Sequence, residues 1–156
     1  MSLKIRMNLV RRLASLVAAV LIAPVAGPVH AEMAEPFKSE PVQQSTLDRY
    51  QWDKRPVLVF APSERDRNHA EQIEILKAGL PGLAERDIVV LSDTNPQKSK
   101  PFRDTLRIEG FEVVLIGKDG GVKLRSNTPV SLEQLFQRID GMPMRQREML
   151  KQPRSE

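Results

Sequence analysis

The chain reads as an α/β protein, a three-layer sandwich around a mixed sheet of about four strands that ends in a β-hairpin and a C-terminal helix. Three observations carry this reading. Apolar runs of strand length, Val57–Ala61, Asp87–Leu91 and Phe111–Ile116, alternate with segments of helical spacing. The first two runs are joined by a helical crossover, which makes them parallel. After the third, Lys118-Asp119-Gly120-Gly121 is a turn signal that folds Val122–Arg125 back as an antiparallel partner.

Residues 1–31 have the three parts of a secretory signal peptide. Lys4, Arg6, Arg11 and Arg12 make a basic start without an acid, and Leu13–Ala26 is apolar. Val29-His30-Ala31 then puts small residues at the −3 and −1 positions of a cleavage site. The apolar run falls short of the roughly 20 residues of a membrane span, so contact with the membrane is expected only transiently, through this segment. Met1 and Met7 both fit as the start. Ala14-Ser15 after the arginine pair favours the general secretory route over the twin-arginine one. The expectation is an exported protein, periplasmic or secreted. With no cysteine, a lipobox anchor is excluded.

Removing the leader changes the charge. The chain has 24 Lys+Arg and 20 Asp+Glu; four of the basic residues lie in 1–31, which leaves 20 of each sign. The basic isoelectric point thus belongs to the leader and gives no support for nucleic-acid binding. Residues 32–44, punctuated by Pro36 and Pro41, read as a flexible lead-in. A domain is expected over 45–144. Ser45 caps a short helix, Thr46–Gln51, and Trp52 closes it as a plug on the sheet.

The continuous apolar run Val57–Ala61 suits a central strand covered on both faces. Pro62-Ser63 ends it, and a helix carries Ala70, Ile73, Leu76 and Leu80 on one side, with Gly79 and Pro81 as stops. The second strand follows, then a polar loop from Ser92 to Pro101 and a helix over about 102–108. Beyond the hairpin, Ser131 caps a last helix with Leu132, Leu135, Phe136 and Ile139 on one face, ended by Gly141 and Pro143. Residues 145–156 read as a charged tail that continues as a frayed helix, with Arg145 and Arg147 at the surface or beside Glu148. The order α, β, α, β, α, β, β, α matches a thioredoxin-like sandwich.

Four segments carry a closer likeness: Trp52–Pro62, Glu85–Val90, Leu115–Arg125 and Ile139–Arg145. In combination they resemble a bacterial family of exported proteins known only as a domain of unknown function. That family is similar to the DUDES domain of vertebrate extracellular proteins such as equarin and the sushi-repeat proteins. The resemblance spans about residues 45–150. It implies a thioredoxin-like fold and brings no activity or catalytic residues with it.

In thioredoxin-like folds the redox cysteines follow the first central strand and open a helix. Here that place holds Ser63-Glu64-Arg65-Asp66, and the position that resembles the usual cis-proline holds Glu112. Thiol exchange needs a thiolate, so thiol-dependent oxidoreductase chemistry is excluded. The helix start still favours an anion, with Arg65 and Arg67 as donors. Ser63, Arg65, Arg67 and Glu112 are therefore the ligand-binding candidates, weighed against capping by Ser63 or Asp66. A Ser63–His69–Asp66 triad fails on spacing, because residues six apart do not meet on a helix. One histidine outside the leader and no cysteine make a transition-metal site improbable, and Asp93, Asp104 and Asp119 lack calcium-loop spacing. Met142, Met144 and Met149 are weighed as a soft binding surface against core packing, which suits methionine better.

The expectation is an exported, non-catalytic domain without cofactor or metal that binds an unknown partner protein or a small anionic ligand. The alternative is a cysteine-independent enzyme with a polar site at the start of the helix after the first central strand.

Overall fold

The computed structural model describes residues 36–151. The leader, its cleavage site, the choice between Met1 and Met7, residues 32–35 and residues 152–156 lie outside the described residues.

Five strands form one sheet: β1 (Phe37–Ser39), β2 (Arg55–Phe60), β3 (Ile88–Asp93), β4 (Glu112–Ile116) and β5 (Val122–Ser126), in the order β1-β3-β2-β4-β5. β1 and β2 both run parallel to β3, while β4 is antiparallel to β2 and to β5. Helices α1 (Gln44–Asp48) and α4 (Lys100–Leu106) cover one face; α2 (Arg67–Lys77), α3 (Leu80–Glu85) and α5 (Leu132–Asp140) cover the other. A last helix, α6, runs over Pro143–Lys151.

The pleat sorts β2 between two cores. Val57 and Val59 pack with Leu76, Leu83, Leu135 and Ile139 on the α2–α3–α5 side. Leu58 and Phe60 pack with Phe102, Ile108 and Val42 on the other. All six residues of β2 are buried, as a strand covered on both faces requires. At the hairpin, Gly120 takes φ +81°, where a side chain would be strained, so this turn needs glycine.

The structure corrects the expected elements in several places. The sheet has five strands, because β1 lies in the supposed flexible lead-in: Phe37 stands opposite Val90, and Val42 is fully buried. Gln43 rather than Ser45 precedes α1 and completes a capping box with Thr46. The helix after β2 ends at Lys77, just before Gly79, as expected, but Gly79 and Pro81 also open a further helix, α3, which takes Leu80 out of α2; proline fits the first helical turn, whose N–H groups lack intrahelical partners anyway. Ser92 and Asp93 belong to β3 rather than to the following loop.

Trp52 is no core plug. It is 67% exposed, because φ 70° and a hydrogen bond from its N–H to the Lys118 carbonyl (2.7 Å) turn its side chain outward. The segment from Arg145 continues as helix, and Arg145 lies beside Glu148 at 3.9 Å, both as expected, but the segment is packed rather than frayed. Arg145 is buried and bonds the Glu85 carboxylate at 2.5 Å, the Glu85 carbonyl at 3.0 Å and Asp140 at 3.3 Å. Glu148 receives Arg55 at 3.0 Å and Lys118 at 2.8 Å. The domain thus extends through α6.

Candidate functional site

The sheet has two ends, and they treat their polar groups differently. At the carboxyl ends of β2 and β3 lies the segment that in a redox fold would hold cysteines. Asp66 caps α2, its Oδ1 accepting from the His69 N–H at 2.9 Å. Ser63 supplies only its carbonyl, which accepts from the Asp66 N–H at 3.2 Å. Ser63, Arg65 and Arg67 are exposed. The Asp66 carboxylate already takes one of the helix N–H groups that an external anion would use. Glu112, half-buried at the start of β4, engages Arg125 at 2.5 Å and none of the other three candidates.

Sequence reasoning missed the buried hub at this end. Arg103 on α4 donates through Nη2 to the Ala61 carbonyl (3.0 Å), the Asp93 carbonyl (2.7 Å) and Asp93 Oδ1 (3.0 Å). Its Nε donates to Ser99 Oγ at 2.9 Å, and its guanidinium lies over the Phe60 ring. Asp93 also accepts the Val42 N–H at 2.8 Å and the Asn95 N–H at 3.1 Å. The hub therefore ties the ends of β2 and β3 to α4 and to the segment after β1. Asp93, Ser99 and Arg103 lie close in sequence, but their burial depends on Val42, Phe60 and Ala61, which no local spacing brings to them.

His69 does not meet Ser63, in keeping with the spacing argument. Its Nε2 lies 2.7 Å from Ser92 Oγ on β3. Burial holds the His69 imidazole below its ordinary pKa against the opposing pull of Asp66 and Glu64. Among the described residues no group of three or more His, Asp or Glu is set to hold a metal ion.

The other end carries a broad concavity. A groove of about 1110 Å³ runs along β5, between that edge strand and the α5–α6 junction. Trp52 and Lys118 stand at its head, Leu124 and Met142 supply apolar surface, and Arg125 and Arg138 contribute cationic groups. Met142 also packs against the α5-side core, the role that suits methionine better. Beneath the groove, Arg55 and Glu148 are tied together, yet Arg55 Nε and Glu148 Oε2 are buried without a hydrogen bond. Burial pushes Glu148 up, but the hydrogen bonds from Arg55 and Lys118 outweigh it and hold the carboxyl below its usual range. Asp140 is held low likewise, burial being outweighed by Arg86 and Arg145.

Comparison with solved structures agrees with the topology. Chloroplastic thioredoxin z is 19% identical with a TM-score of 0.51, over 65% of this chain and 91% of that one. The reduced 2-Cys peroxiredoxin of Plasmodium vivax is 16% identical with a TM-score of 0.52, over 66% and 84%. Mitochondrial thioredoxin 3 of Saccharomyces cerevisiae, in its oxidised form, is 13% identical with a TM-score of 0.51, over 65% and 93%. At such identities the likeness establishes a thioredoxin-like fold and nothing about chemistry. The family model described as "Domain of unknown function (DUF4174)" matches residues 46–148, and the chain belongs to that family.

Proposed function

We propose that this chain is an exported, non-catalytic binding module on a thioredoxin-like scaffold, and that a partner protein docks in the groove beside Trp52. One observation carries the reading: the sole tryptophan is held out of the core, at a backbone angle costing roughly 1–2 kcal/mol for a non-glycine residue, at the head of a groove of about 1110 Å³. Exposed tryptophan beside a concave apolar surface is the composition of an interaction hot spot. The missing thiol removes the scaffold's usual chemistry and leaves its surfaces.

A photo-crosslinking residue at position 125, in the groove, is compared with one at Glu71 on α2, away from it. The reading expects a discrete adduct from position 125 alone, suppressed by excess unlabelled protein and by Trp52→Ala. Equal labelling from both positions, or no adduct, defeats it.

A second reading, a cysteine-independent enzyme at the start of α2, draws on the 2.7 Å contact between His69 Nε2 and Ser92 Oγ. A serine–imidazole pair at that distance is the minimum for an activated nucleophile. This reading expects a fluorophosphonate probe to label Ser92, with loss of labelling in His69→Ala; an unlabelled protein dismisses it. For the small anionic ligand sought at Ser63, Arg65 and Arg67, a phosphate-dependent thermal shift abolished by Arg65→Ala is the corresponding test.

A further inference from the structure

We infer that the occupant of the groove is an acidic, extended segment of a partner protein, an assignment that rests on the groove being the docking surface. The shape argument comes first. One wall is β5, an edge strand of the sheet, and the other is the α5 stripe Gln134, Gln137 and Arg138 at helical spacing. A trough between an edge strand and a helix accepts a peptide in extended form, the geometry by which chains add to sheet edges. A helix, about 10 Å wide with its side chains, is a poorer match to such a trough.

Charge then selects the peptide. Five basic residues line the groove, Arg55, Lys118, Lys123, Arg125 and Arg138, against one acid, Asp119. Arg55 and Lys118 are committed to the carboxylates beneath. Lys123 pairs with Asp119, both partly exposed, a contact weak enough to exchange; Arg125 is held more firmly, pairing with Glu112 and donating through Nη2 to the Leu106 carbonyl at 2.9 Å. Arg138 is the sharpest feature. It spans the trough, its Nε donating to the Lys123 carbonyl at 2.7 Å, and among the described residues no carboxylate lies within ion-pair reach of it. Its terminal nitrogens make no hydrogen bond among the described residues, which leaves their donors for a carboxylate. Side chains alternate in direction along an extended chain, so acidic residues at every second position reach these cations while the intervening residues reach Leu124 and Met142.

Trp52, the sole tryptophan, reports occupancy directly. The probes are synthetic peptides of about ten residues, a length that spans roughly 30 Å when extended, alternating valine with glutamate or valine with lysine. The assignment expects a saturable change in Trp52 emission with the glutamate peptide only. It expects binding weakened about tenfold in Arg138→Glu, the scale of one charge-assisted contact, and unchanged in Arg65→Glu at the far end of the sheet. If Arg138→Glu does not fold, Arg138→Gln gives the same reading through loss rather than reversal of charge. Equal responses to both peptides, or loss of binding in Arg65→Glu, overturn the assignment. So does a Trp52 response to phosphatidylglycerol vesicles with none to the glutamate peptide, which would assign these cations to a lipid surface. A native adduct at position 125 with an inert glutamate peptide leaves the docking surface standing and removes its acidic preference. Absence of both removes the two together.

Discussion

The two ends of the sheet each bury an arginine beside a carboxylate and use the pair in opposite ways. At the carboxyl ends of β2 and β3, Arg103 and Asp93 are buried and spend their hydrogen bonds on backbone, on Ser99 and on each other. At the other end, buried Arg55 and half-buried Glu148 each leave a buried atom without a hydrogen bond, and a strained, exposed Trp52 stands above them. The first arrangement is sealed. The second retains unused bonding capacity beside an open groove, which is where a ligand has something to gain. The familiar active-site end of the scaffold is here the end that holds the fold shut.

The contrast can be broken most forcefully at the hub. Arg103→Ala strands the Asp93 carboxylate in the interior, and unfolding in urea should show a loss of about 3–5 kcal/mol. A loss under 1 kcal/mol would mean the hub is solvated and the two ends are alike. Arg145→Ala is expected to cost less, about 2 kcal/mol, because Glu85 and Asp140 remain partly in water. The same titration measures it, and truncation after Met144 should cost at least as much, since Glu148 leaves as well.

Acid separates the contributions more finely. The folded pKa of His69 lies below its ordinary 6.5, so the unfolded chain takes the proton first. Its contribution is complete above about pH 6.5 and declines as pH falls toward the folded value. His69→Gln should flatten that part of the stability profile. Asp140 and Glu148 are also depressed, from 3.8 and 4.5, so their contribution is full above those values and is lost only in stronger acid, as pH falls through the folded pKa values. A single decline near neutrality in the His69→Gln protein would contradict this division.

The smallest effect is the most diagnostic. Trp52→Gly relieves the left-handed backbone and should raise stability by about 1 kcal/mol while abolishing the position-125 adduct. A mutant that loses stability would show that the indole contributes more to packing than its exposure indicates.

How much of this was legible in the sequence follows from burial. β2, β3 and β4 are apolar on both faces, so their runs stand out without any knowledge of neighbours. The hairpin announced itself through Asp119-Gly120, where geometry demands a particular residue type. β1 gave no such signal: three residues, two of them exposed, become a strand only because β3 offers an unpaired edge. The same reason hid Arg145. A buried arginine is credible only once Glu85 and Asp140 are known to surround it, and nothing local in α6 says so. Trp52 misled for a related cause, since its size argues for burial and only the turn to Lys118 reverses that. At the candidate site, the loss of thiol chemistry was fully readable and the groove was not, because its walls come from segments distant in the chain.

β1 also decides where the protein can be cut. A fragment beginning at residue 45, the boundary that composition suggests, would lack both the strand and the Val42 side chain that fills the core behind it. β3 would then become the outer strand of the sheet, an apolar row of open backbone groups available to any other chain. Such a fragment would keep every residue of the groove and the whole of the family match, yet stick to copies of itself. Three unremarkable residues, Phe37 to Ser39, keep this domain from becoming a template for its own aggregation.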